Sequence, residues 1–398
     1  MKIKVTNNIY GIDTEILFSI GKRINNSKRN FLFISKVLGK HIEVKPDVCK
    51  AMGFLLASTI YGRNDNINIL INYLENPNKF QVQAKKAMNQ SYKTNEKITV
   101  LGFAETATGL GMAVAAAIEQ SYYITTTREK VKGIKSILNF EEEHSHSTTH
   151  KCFPENPYKL KNADRIILVD DEITTGKSML NIITELIKTT HVKKYTILTI
   201  LDWRNINYKN LFEDFIKKNN VDINVKALIS GEIQSDKNSV FYDNEENMLY
   251  DKVSVNKLDI LKRRDEENLK FTGRFGIEFN DIQKLEKDCK KVAEKIEKLL
   301  GEYKKILVLG HGENIYIPSR IASYIKGDVY FKSTTRSPIY CSDEKDYFIK
   351  EKNSYYHNGV KYYFYNKSKI EEEYDKVVLI TEDDFNIKLA KNIIIVKL

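Results

Sequence analysis

The chain has 398 residues, of which 42% are hydrophobic, and this is enough for two globular domains of ordinary size. No apolar run approaches the roughly 18 residues of a membrane-spanning helix, and the N-terminal residues show no signal-peptide pattern, so the sequence predicts a cytoplasmic protein. The four cysteines are scattered without C-x-x-C spacing, which argues against a disulfide framework.

The formal net charge of +10 is compatible with binding either nucleic acid or a polyanionic small molecule. The lysines are spread along the chain, and many of them alternate with Glu or Asp. This pattern favours a solvated, Lys-rich surface over a nucleic-acid interface.

The first informative segment lies near residue 100. Ile98–Leu101 predicts a strand, and the alanine-rich run Met112–Ile118 predicts a helix. The loop between them is rich in small residues and contains Glu105, Thr106, Ala107 and Thr108. Such a loop either holds an anion or permits close backbone packing, and the residues alone leave both alternatives open.

The next segment predicts a strand at Tyr122–Thr127, which ends at Arg128. Phe140–Cys152 then contains three of the seven histidines of the chain. The potential metal ligands in it are His144, His146, His150 and Cys152. Their spacing matches no common structural zinc site, and acids and hydroxyls surround them, so zinc is the less favoured interpretation.

The central segment of the chain is Arg165–Ser178. Arg165–Val169 is a β-branched apolar run that predicts a buried parallel strand, and Asp170 and Asp171 follow where that strand would end. A small turn comes next, formed by Thr174, Thr175, Gly176, Lys177 and Ser178. An amphipathic helix is predicted immediately after this turn. Strand, acidic edge, turn and helix in this order predict a ligand site at the carboxyl end of a parallel sheet.

The composition of this turn suits a phosphate group. Backbone N–H groups at a helix N-terminus bind anions, Gly176 permits close approach, and the hydroxyls add donors. The two carboxylates ahead of the turn can accept hydrogen bonds from a vicinal diol, so a sugar phosphate would satisfy both parts. The P-loop alternative fails because that motif needs glycine at position 171, which is Asp171.

Tyr195–Leu201 predicts a further strand of the first domain. Trp203 follows this strand and either stacks on a base or packs in the core.

The C-terminal part of the chain begins with a change in composition. From residue 256 the sequence becomes charged and helical before a new strand at Ile306–Leu309. The predicted fold is therefore α/β, with a first domain at 1–255 and a smaller α/β domain at 256–398.

The second domain repeats two motifs of the first: Val308–Glu313 matches Val100–Glu105, and Ser333–Arg336 matches Thr125–Arg128. Both pairs keep an offset of 208 positions, as Phe140 and Phe348 do. Equal offsets predict one supersecondary unit used twice, with convergence as the alternative. Thr381–Phe385 stands where the central turn would be and lacks Thr-Thr-Gly, so the copy is predicted to be degenerate.

The central segment closely resembles the signature of type I phosphoribosyltransferases, which bind 5-phosphoribosyl 1-diphosphate (PRPP). Thr335–Pro338 resembles the signature of the TRSP domain, which follows a phosphoribosyltransferase domain in a bacterial family associated with tellurite-resistance gene clusters. The resemblance implies the Rossmann-like parallel sheet of the type I fold in the first domain.

The resemblance also implies roles for individual residues. Asp170 and Asp171 would hold the ribose hydroxyls, and Thr174–Ser178 would bind the 5′-phosphate. Glu105–Thr108 would face the diphosphate and its Mg²⁺, which would be held mainly through PRPP, with Asp170 and Asp171 as potential ligands. A mobile loop carrying His144, His146 and His150 would close over the substrates, and Arg128 would stabilise the departing diphosphate.

The implied function is Mg²⁺-dependent phosphoribosyl transfer to a nucleobase-like acceptor, or its reverse, in the synthesis of a nucleotide-like metabolite linked to stress or tellurite resistance. The alternative is a PRPP-sensing protein without turnover. Expected partners are PRPP and the base, with a homodimer or co-encoded proteins as further options, and without membrane or nucleic acid. A second-domain site is predicted at Glu313, Thr335, Arg336 and Ser337.

Overall fold

The computed structural model describes residues 2–26, 29–141, 149–234, 240–243 and 247–398. It has the predicted mixed α/β architecture. The strands are β1 (Lys2–Asn8), β2 (Phe18–Lys22), β3 (Phe31–Ser35), β4 (Ile98–Gly102), β5 (Tyr122–Thr125), β6 (Leu138–Glu141), β7 (Thr149–Cys152), β8 (Arg165–Ile173), β9 (Lys194–Asp202), β10 (Asp222–Gln234), β11 (Asn247–Met248), β12 (Val255–Lys257), β13 (Ile277–Glu278), β14 (Lys305–Gly310), β15 (Asp328–Ser333), β16 (Lys352–His357), β17 (Val360–Tyr365), β18 (Lys376–Thr381) and β19 (Ile393–Lys397).

The helices in the described part of the chain are α1 (Thr14–Leu17), α2 (Val48–Tyr61), α3 (Asn66–Glu75), α4 (Pro77–Ala87), α5 (Ala107–Ala116), α6 (Pro157–Lys161), α7 (Lys177–Thr189), α8 (Ile206–Asn219), α9 (Phe279–Leu300), α10 (Tyr316–Tyr324) and α11 (Lys367–Glu373). Within the residues that the structure describes, none of these helices is long and apolar enough to cross a membrane.

The chain divides into two compact units that are not continuous in sequence. Unit 1 consists of Met1–Ile12, Cys49–Gln234 and Lys270–Lys284, and unit 2 of Asp13–Val48, Ser235–Leu269 and Leu285–Leu398. Each unit thus contains a short segment that is remote in sequence from most of that unit. The boundary near residue 255 stays a prediction.

Unit 1 is built on a seven-stranded sheet of order β1-β10-β9-β8-β4-β5-β13. The five inner strands are parallel, and the two edge strands are antiparallel to their neighbours. Every residue of β4 and α5 is buried, which explains their almost uninterrupted small and apolar sequences. The parallel sheet of the predicted fold class is therefore present.

Strand β8 is longer than the sequence predicts. The apolar run ends at Val169, but pairing with β9 continues through Asp170, Glu172 and Ile173. The register of the parallel pair extends the strand past the point where its apolar pattern stops. As a result, Asp170 and Asp171 lie among the last residues of the strand and not in the loop after it.

Unit 2 contains a five-stranded parallel sheet of order β12-β19-β18-β14-β15. A three-stranded sheet, β11-β16-β17, and the hairpin β2-β3 complete this unit. One core cluster of this unit joins the central strands to aromatic residues such as Tyr355, Phe364 and Phe385. The order of β19, β18, β14 and β15 is that of β9, β8, β4 and β5 in unit 1, which supports the predicted repeat.

In both units, the edge strand of the five parallel strands pairs with a segment that is remote in the sequence. In unit 1, Ile277 pairs with Tyr123, and Thr125 N donates to Gly273 O (3.0 Å). In unit 2 the bridge joins Val44 and Phe331, and Ser333 N donates to Gly39 O (2.7 Å). The same edge position is thus filled in both units.

One part of the predicted repeat is wrong. Phe140 pairs with His150 in the hairpin β6-β7, whereas the pair at the corresponding place of hairpin β16-β17 is Tyr355 and Tyr362. Phe348 lies outside any strand and is exposed. The loop after β15 is longer than the loop after β5, so a constant offset fails beyond Arg336.

Candidate active site

The predicted acidic pair and the small-residue loop lie side by side in unit 1. Strand β4 is the direct neighbour of β8, with Gly102 opposite Val169, and both strands end at the same edge of the sheet. Phe103 N donates to Val169 O (3.2 Å), so the loop leaves β4 directly beside Asp170. The topology thus brings together two motifs that are more than 60 residues apart in the sequence.

The predicted phosphate turn has the backbone geometry of a helix N-terminus. Gly176 has φ +75° and is the N-cap of α7, which begins at Lys177. A Cβ at position 176 would lie 2.6 Å from the ring of Phe212, so only glycine fits both the dihedral and the space. Lys177 N donates to Thr175 Oγ1 (3.3 Å). These features explain why glycine occupies position 176, and phosphate binding at this turn stays a prediction.

The two carboxylates ahead of the turn are half-buried. Asp170 accepts a hydrogen bond from Asp171 N (3.0 Å), which orients its carboxylate relative to the strand end. Thr174, Thr175, Lys177 and Ser178 are half-buried as well. A partly exposed row of acids and hydroxyls at one sheet edge can bind the hydroxyls and the phosphate of a sugar phosphate.

The loop after β4 is rigidly packed. Glu105, Thr106 and Thr108 are buried, Ala107 is the first residue of α5, and the Ala104–Glu105 peptide bond is cis. Thr108 Oγ1 donates to Glu105 O (3.0 Å), which closes the loop on itself. The close packing that the sequence offered as one alternative is therefore present, and anion binding by this loop stays a prediction.

Arg128 and His150 belong to a closed ring of hydrogen bonds at this edge. Ala104 N donates to Thr126 Oγ1 (2.9 Å), and that oxygen lies 3.1 Å from His150 Nδ1. Arg128 Nε donates to His150 Nε2 (3.0 Å), and Arg128 Nη2 donates to Ala104 O (3.3 Å). Because arginine always donates, His150 Nε2 must accept, and the ring proton lies on Nδ1. This closed set of hydrogen bonds connects the loop after β4, the residues that follow β5, and strand β7.

Two of the predicted loop histidines, His144 and His146, lie outside the described residues. His150 and Cys152 are both fully buried, and burial raises the pKa of the Cys152 thiol. Among the residues described, no group of three or more His, Cys, Asp or Glu side chains is arranged to hold a metal. The described part of this segment therefore gives no support to a zinc site.

Sequence reasoning missed a buried ion pair beside the phosphate turn. Arg204 donates from Nε and Nη2 to the two carboxylate oxygens of Asp202 (2.9 and 2.8 Å), and both residues are buried. A Cβ on Gly176 would lie 3.1 Å from Arg204 Cδ. The sequence feature that could have indicated this pair is the Asp-x-Arg pattern at the end of a predicted strand. Trp203, between them, is buried and packs over Gly231, as a core residue does.

The predicted residues of the second domain lie in unit 2. Glu313 and Thr335 are buried, and Arg336 and Ser337 are half-buried. Arg336 Nη2 donates to Tyr362 Oη (2.7 Å), and Ser337 N donates to Thr335 Oγ1 (3.0 Å). Thr335, Arg336 and Ser337 follow β15, whereas Glu313 lies in the loop after the neighbouring strand β14.

Two family models match the chain. The model described as phosphoribosyl transferase matches residues 17–232, which is more than half of the chain. The model described as the TRSP domain, C-terminal to that family, matches residues 271–396. These matches confirm the resemblance and the domain order that the sequence motifs predicted. Among curated proteins no match is found.

Several solved phosphoribosyltransferase structures show distant similarity. The adenine enzyme of Trypanosoma brucei, in complex with AMP, pyrophosphate and ribose-5-phosphate, is 17% identical, with a TM-score of 0.26; the match covers 37% of this chain and 67% of that one. The adenine enzyme of Rhodothermus marinus is 13% identical (TM-score 0.27; 54% and 94% covered). The orotate enzyme of Mycobacterium tuberculosis, in complex with PRPP, is 12% identical (0.21; 46% and 90%). Because the sequence identities and TM-scores of these structures are low, the family assignment of this chain rests on the two family models.

Proposed function

Because the chain belongs to the phosphoribosyl transferase family and is an enzyme of that family, we propose that unit 1 transfers the phosphoribosyl group of PRPP to a nucleobase-like acceptor. The observation that carries this proposal is the adjacency of the acidic end of β8, the Gly176 turn and the loop after β4. A ligand with a sugar diol, a 5′-phosphate and a 1-diphosphate has one group for each of them.

The donor set is compatible with Mg²⁺. Asp170 and Asp171 supply hard carboxylate oxygens at the sheet edge, and Mg²⁺ in such sites is typically held by one or two carboxylates and by substrate phosphates. When bound, Mg²⁺ would neutralise charge that develops on the departing diphosphate.

The residues of the chain would act mainly by positioning. The turn at Thr174–Ser178 would bind the 5′-phosphate through backbone N–H groups and hydroxyls, and Asp170 and Asp171 would accept hydrogen bonds from the ribose hydroxyls. The ribose C1 is then held between the loop after β4 and the acceptor nitrogen. Its bond to the diphosphate oxygen breaks as the bond to nitrogen forms, and both bonding electrons leave with the diphosphate. The same groups would serve the reverse reaction.

Arg128 would stabilise the diphosphate as its charge develops, because a guanidinium offers several donors that do not lose their proton. Its Nε and Nη2 are held by His150 and Ala104 O. This arrangement would pre-orient the cation before the substrate binds. A link of the product to stress or tellurite resistance, a cytoplasmic location and association with a second copy or co-encoded proteins are further parts of the proposal, and they rest on the sequence analysis alone.

Titration calorimetry with PRPP and Mg²⁺ tests the proposal on the wild type and on the double variant Asp170→Asn, Asp171→Asn. We expect binding to the wild type and at least about tenfold weaker binding to the variant, since each lost charged hydrogen bond contributes about 1.5–3 kcal/mol. The control is Asp288→Asn, which changes a half-buried carboxylate of α9 that pairs with Lys291. Diphosphate release over a panel of bases then separates an enzyme from a PRPP sensor. A folded wild type that binds no PRPP would refute the proposal.

A further inference from the structure

The strand ends of unit 2 repeat the hydrogen bonds of unit 1. Gly312 N donates to Thr334 Oγ1 (3.1 Å), as Ala104 N donates to Thr126 Oγ1 (2.9 Å). Thr334 N donates to Gly310 O (3.0 Å), which corresponds to the bond from Thr126 N to Gly102 O (2.9 Å). The loop after β14 is thus held in the same way as the loop after β4.

The aromatic groups packed on these two loops also correspond. In unit 1 the ring of Phe140 lies 5.8 Å from Phe103 and 5.2 Å from His150. The equivalent rings in unit 2 are those of Tyr355, His311 and Tyr362, and Tyr355 lies 6.1 Å from His311 and 5.7 Å from Tyr362. His311 therefore stands in the position that Phe103 fills in unit 1.

The replacement of phenylalanine by histidine introduces an unsatisfied polar atom. His311 is 9% exposed, and its buried Nε2 has no hydrogen-bond partner among the residues that the structure describes. In the same loop, Asn314 Nδ2 is also buried, and it has no hydrogen-bond partner within the described part of the chain. Unsatisfied buried polar groups destabilise a fold, and Phe103 shows that an apolar ring fits this position. Packing alone therefore does not account for His311.

Charged groups surround the same point. His357 lies 5.0 Å from the His311 ring and bonds through Nε2 to Asp383 Oδ2 (2.6 Å), and Thr381 Oγ1 donates to Asp383 Oδ1 (2.8 Å). Burial, with the nearby His357 and Arg336 charges, lowers the pKa of His311 to about 3, although Asp383 opposes the shift. His311 is therefore a neutral imidazole.

We infer that unit 2 carries a second ligand site, formed by the loop His311–Asn314 together with Arg336 and Asp383, that binds a small sugar phosphate. The guanidinium of Arg336 suits a phosphate, because unit 2 has no Thr-Thr-Gly turn to bind one. The carboxylates of Glu313 and Asp383 suit sugar hydroxyls, and His311 Nε2 and Asn314 Nδ2 would gain the partners that they lack. This inference stands independently of the reaction proposed for unit 1.

Hydrogen–deuterium exchange on the full chain locates such binding, with ribose 5-phosphate as the probe and inorganic phosphate and ribose as comparators. The variants are His311→Phe, which installs the residue of unit 1, and Asp170→Asn with Asp171→Asn, which alters only the site of unit 1. We expect the probe to protect residues 310–316 and 334–337 in the wild type and in the double Asp variant.

In His311→Phe we expect this protection to need at least about tenfold more probe, while the melting temperature stays the same or rises because an unsatisfied polar atom is removed. A lower melting temperature with unchanged protection would show that His311 has a structural role, and would overturn the inference. Equal protection by inorganic phosphate alone would overturn the assignment of a sugar phosphate, because the ribose would then contribute nothing to binding. Protection that disappears in the double Asp variant would place the probe in unit 1 and would also overturn the inference.

Discussion

His150 illustrates how a fully buried side chain orients a half-buried one, Arg128. Its two ring nitrogens are engaged by Thr126 and Arg128, and the ring is fully buried. A ring in this position has no nitrogen left for proton transfer with a substrate. The geometry therefore favours a positioning role for His150, with Arg128 as the group that meets the substrate, whereas the sequence predicted a catalytic loop histidine.

His150→Ala tests this role. We expect the KM for PRPP to rise about tenfold or more, because Arg128 and the loop after β4 lose their common partner, while kcat falls less. His150→Gln should recover most of the loss, since its amide oxygen can accept from Arg128 and its NH₂ can donate to Thr126. Steady-state kinetics with varied PRPP gives both constants.

Two results would contradict the positioning role of His150. If kcat falls in both variants while KM stays unchanged, the imidazole takes part in the chemistry. If His150→Gln is as impaired as His150→Ala, the ring contributes through its shape and not through its hydrogen bonds.

At the scale of elements, unit 2 depends on a buried ionic cluster that links three separate segments. Arg320 of α10 bonds through Nε to both carboxylate oxygens of Glu286 of α9 (2.8 and 3.0 Å) and through Nη1 to Asp47 (2.6 Å). Tyr316 and Tyr324 also donate to Glu286 (3.0 and 2.9 Å). The cluster ties both helices to the segment Asp13–Val48, all within unit 2.

Arg320→Met should therefore destabilise unit 2 strongly. Removing the guanidinium leaves the buried carboxylates of Glu286 and Asp47 without their cation, which costs about 3–5 kcal/mol. Chemical denaturation followed by circular dichroism measures the loss. The control is Lys291→Ala on α9, which removes an exposed pair with Asp288 (2.8 Å) and should cost less than about 1 kcal/mol. Similar losses for both variants would mean that the buried cluster contributes little.

At the scale of the whole molecule, each compact unit contains a segment that lies far from the rest of it in sequence. Unit 1 includes Lys270–Lys284, whose Ile277 pairs with Tyr123 of β5. Unit 2 includes Asp13–Val48, whose hairpin β2-β3 and Val44–Phe331 bridge belong to that unit. A cut in the middle of the sequence therefore removes structure from both units.

A fragment of residues 1–255 should be less stable than a fragment of residues 1–284. The shorter fragment lacks the segment that pairs along β5, and the loss of a few kcal/mol lowers Tm by on the order of 10 °C in a domain of this size. Thermal unfolding followed by circular dichroism compares the two, with the full chain as the reference. Equal melting temperatures would show that Lys270–Lys284 adds no stability to unit 1.

The sequence by itself determined the local features. The strand–turn–helix at Arg165–Thr189 was readable from its β-branched run, its glycine turn and its amphipathic period, because these patterns reflect local backbone preferences and burial. The family resemblance rested on this stretch and on Thr335–Pro338, and both parts of it were confirmed by the family models. The repeat was visible as a constant offset of 208 positions between two strand ends.

Only the tertiary structure decided which remote segments share a unit and a site. The pairing of Ile277 with Tyr123, the burial of His150 against Arg128, and the position of Arg204 beside Gly176 all join residues that are distant in sequence. Periodicity reports which face of an element is buried but not which partner covers it. Those contacts depend on strand order and register, which are properties of the folded chain as a whole.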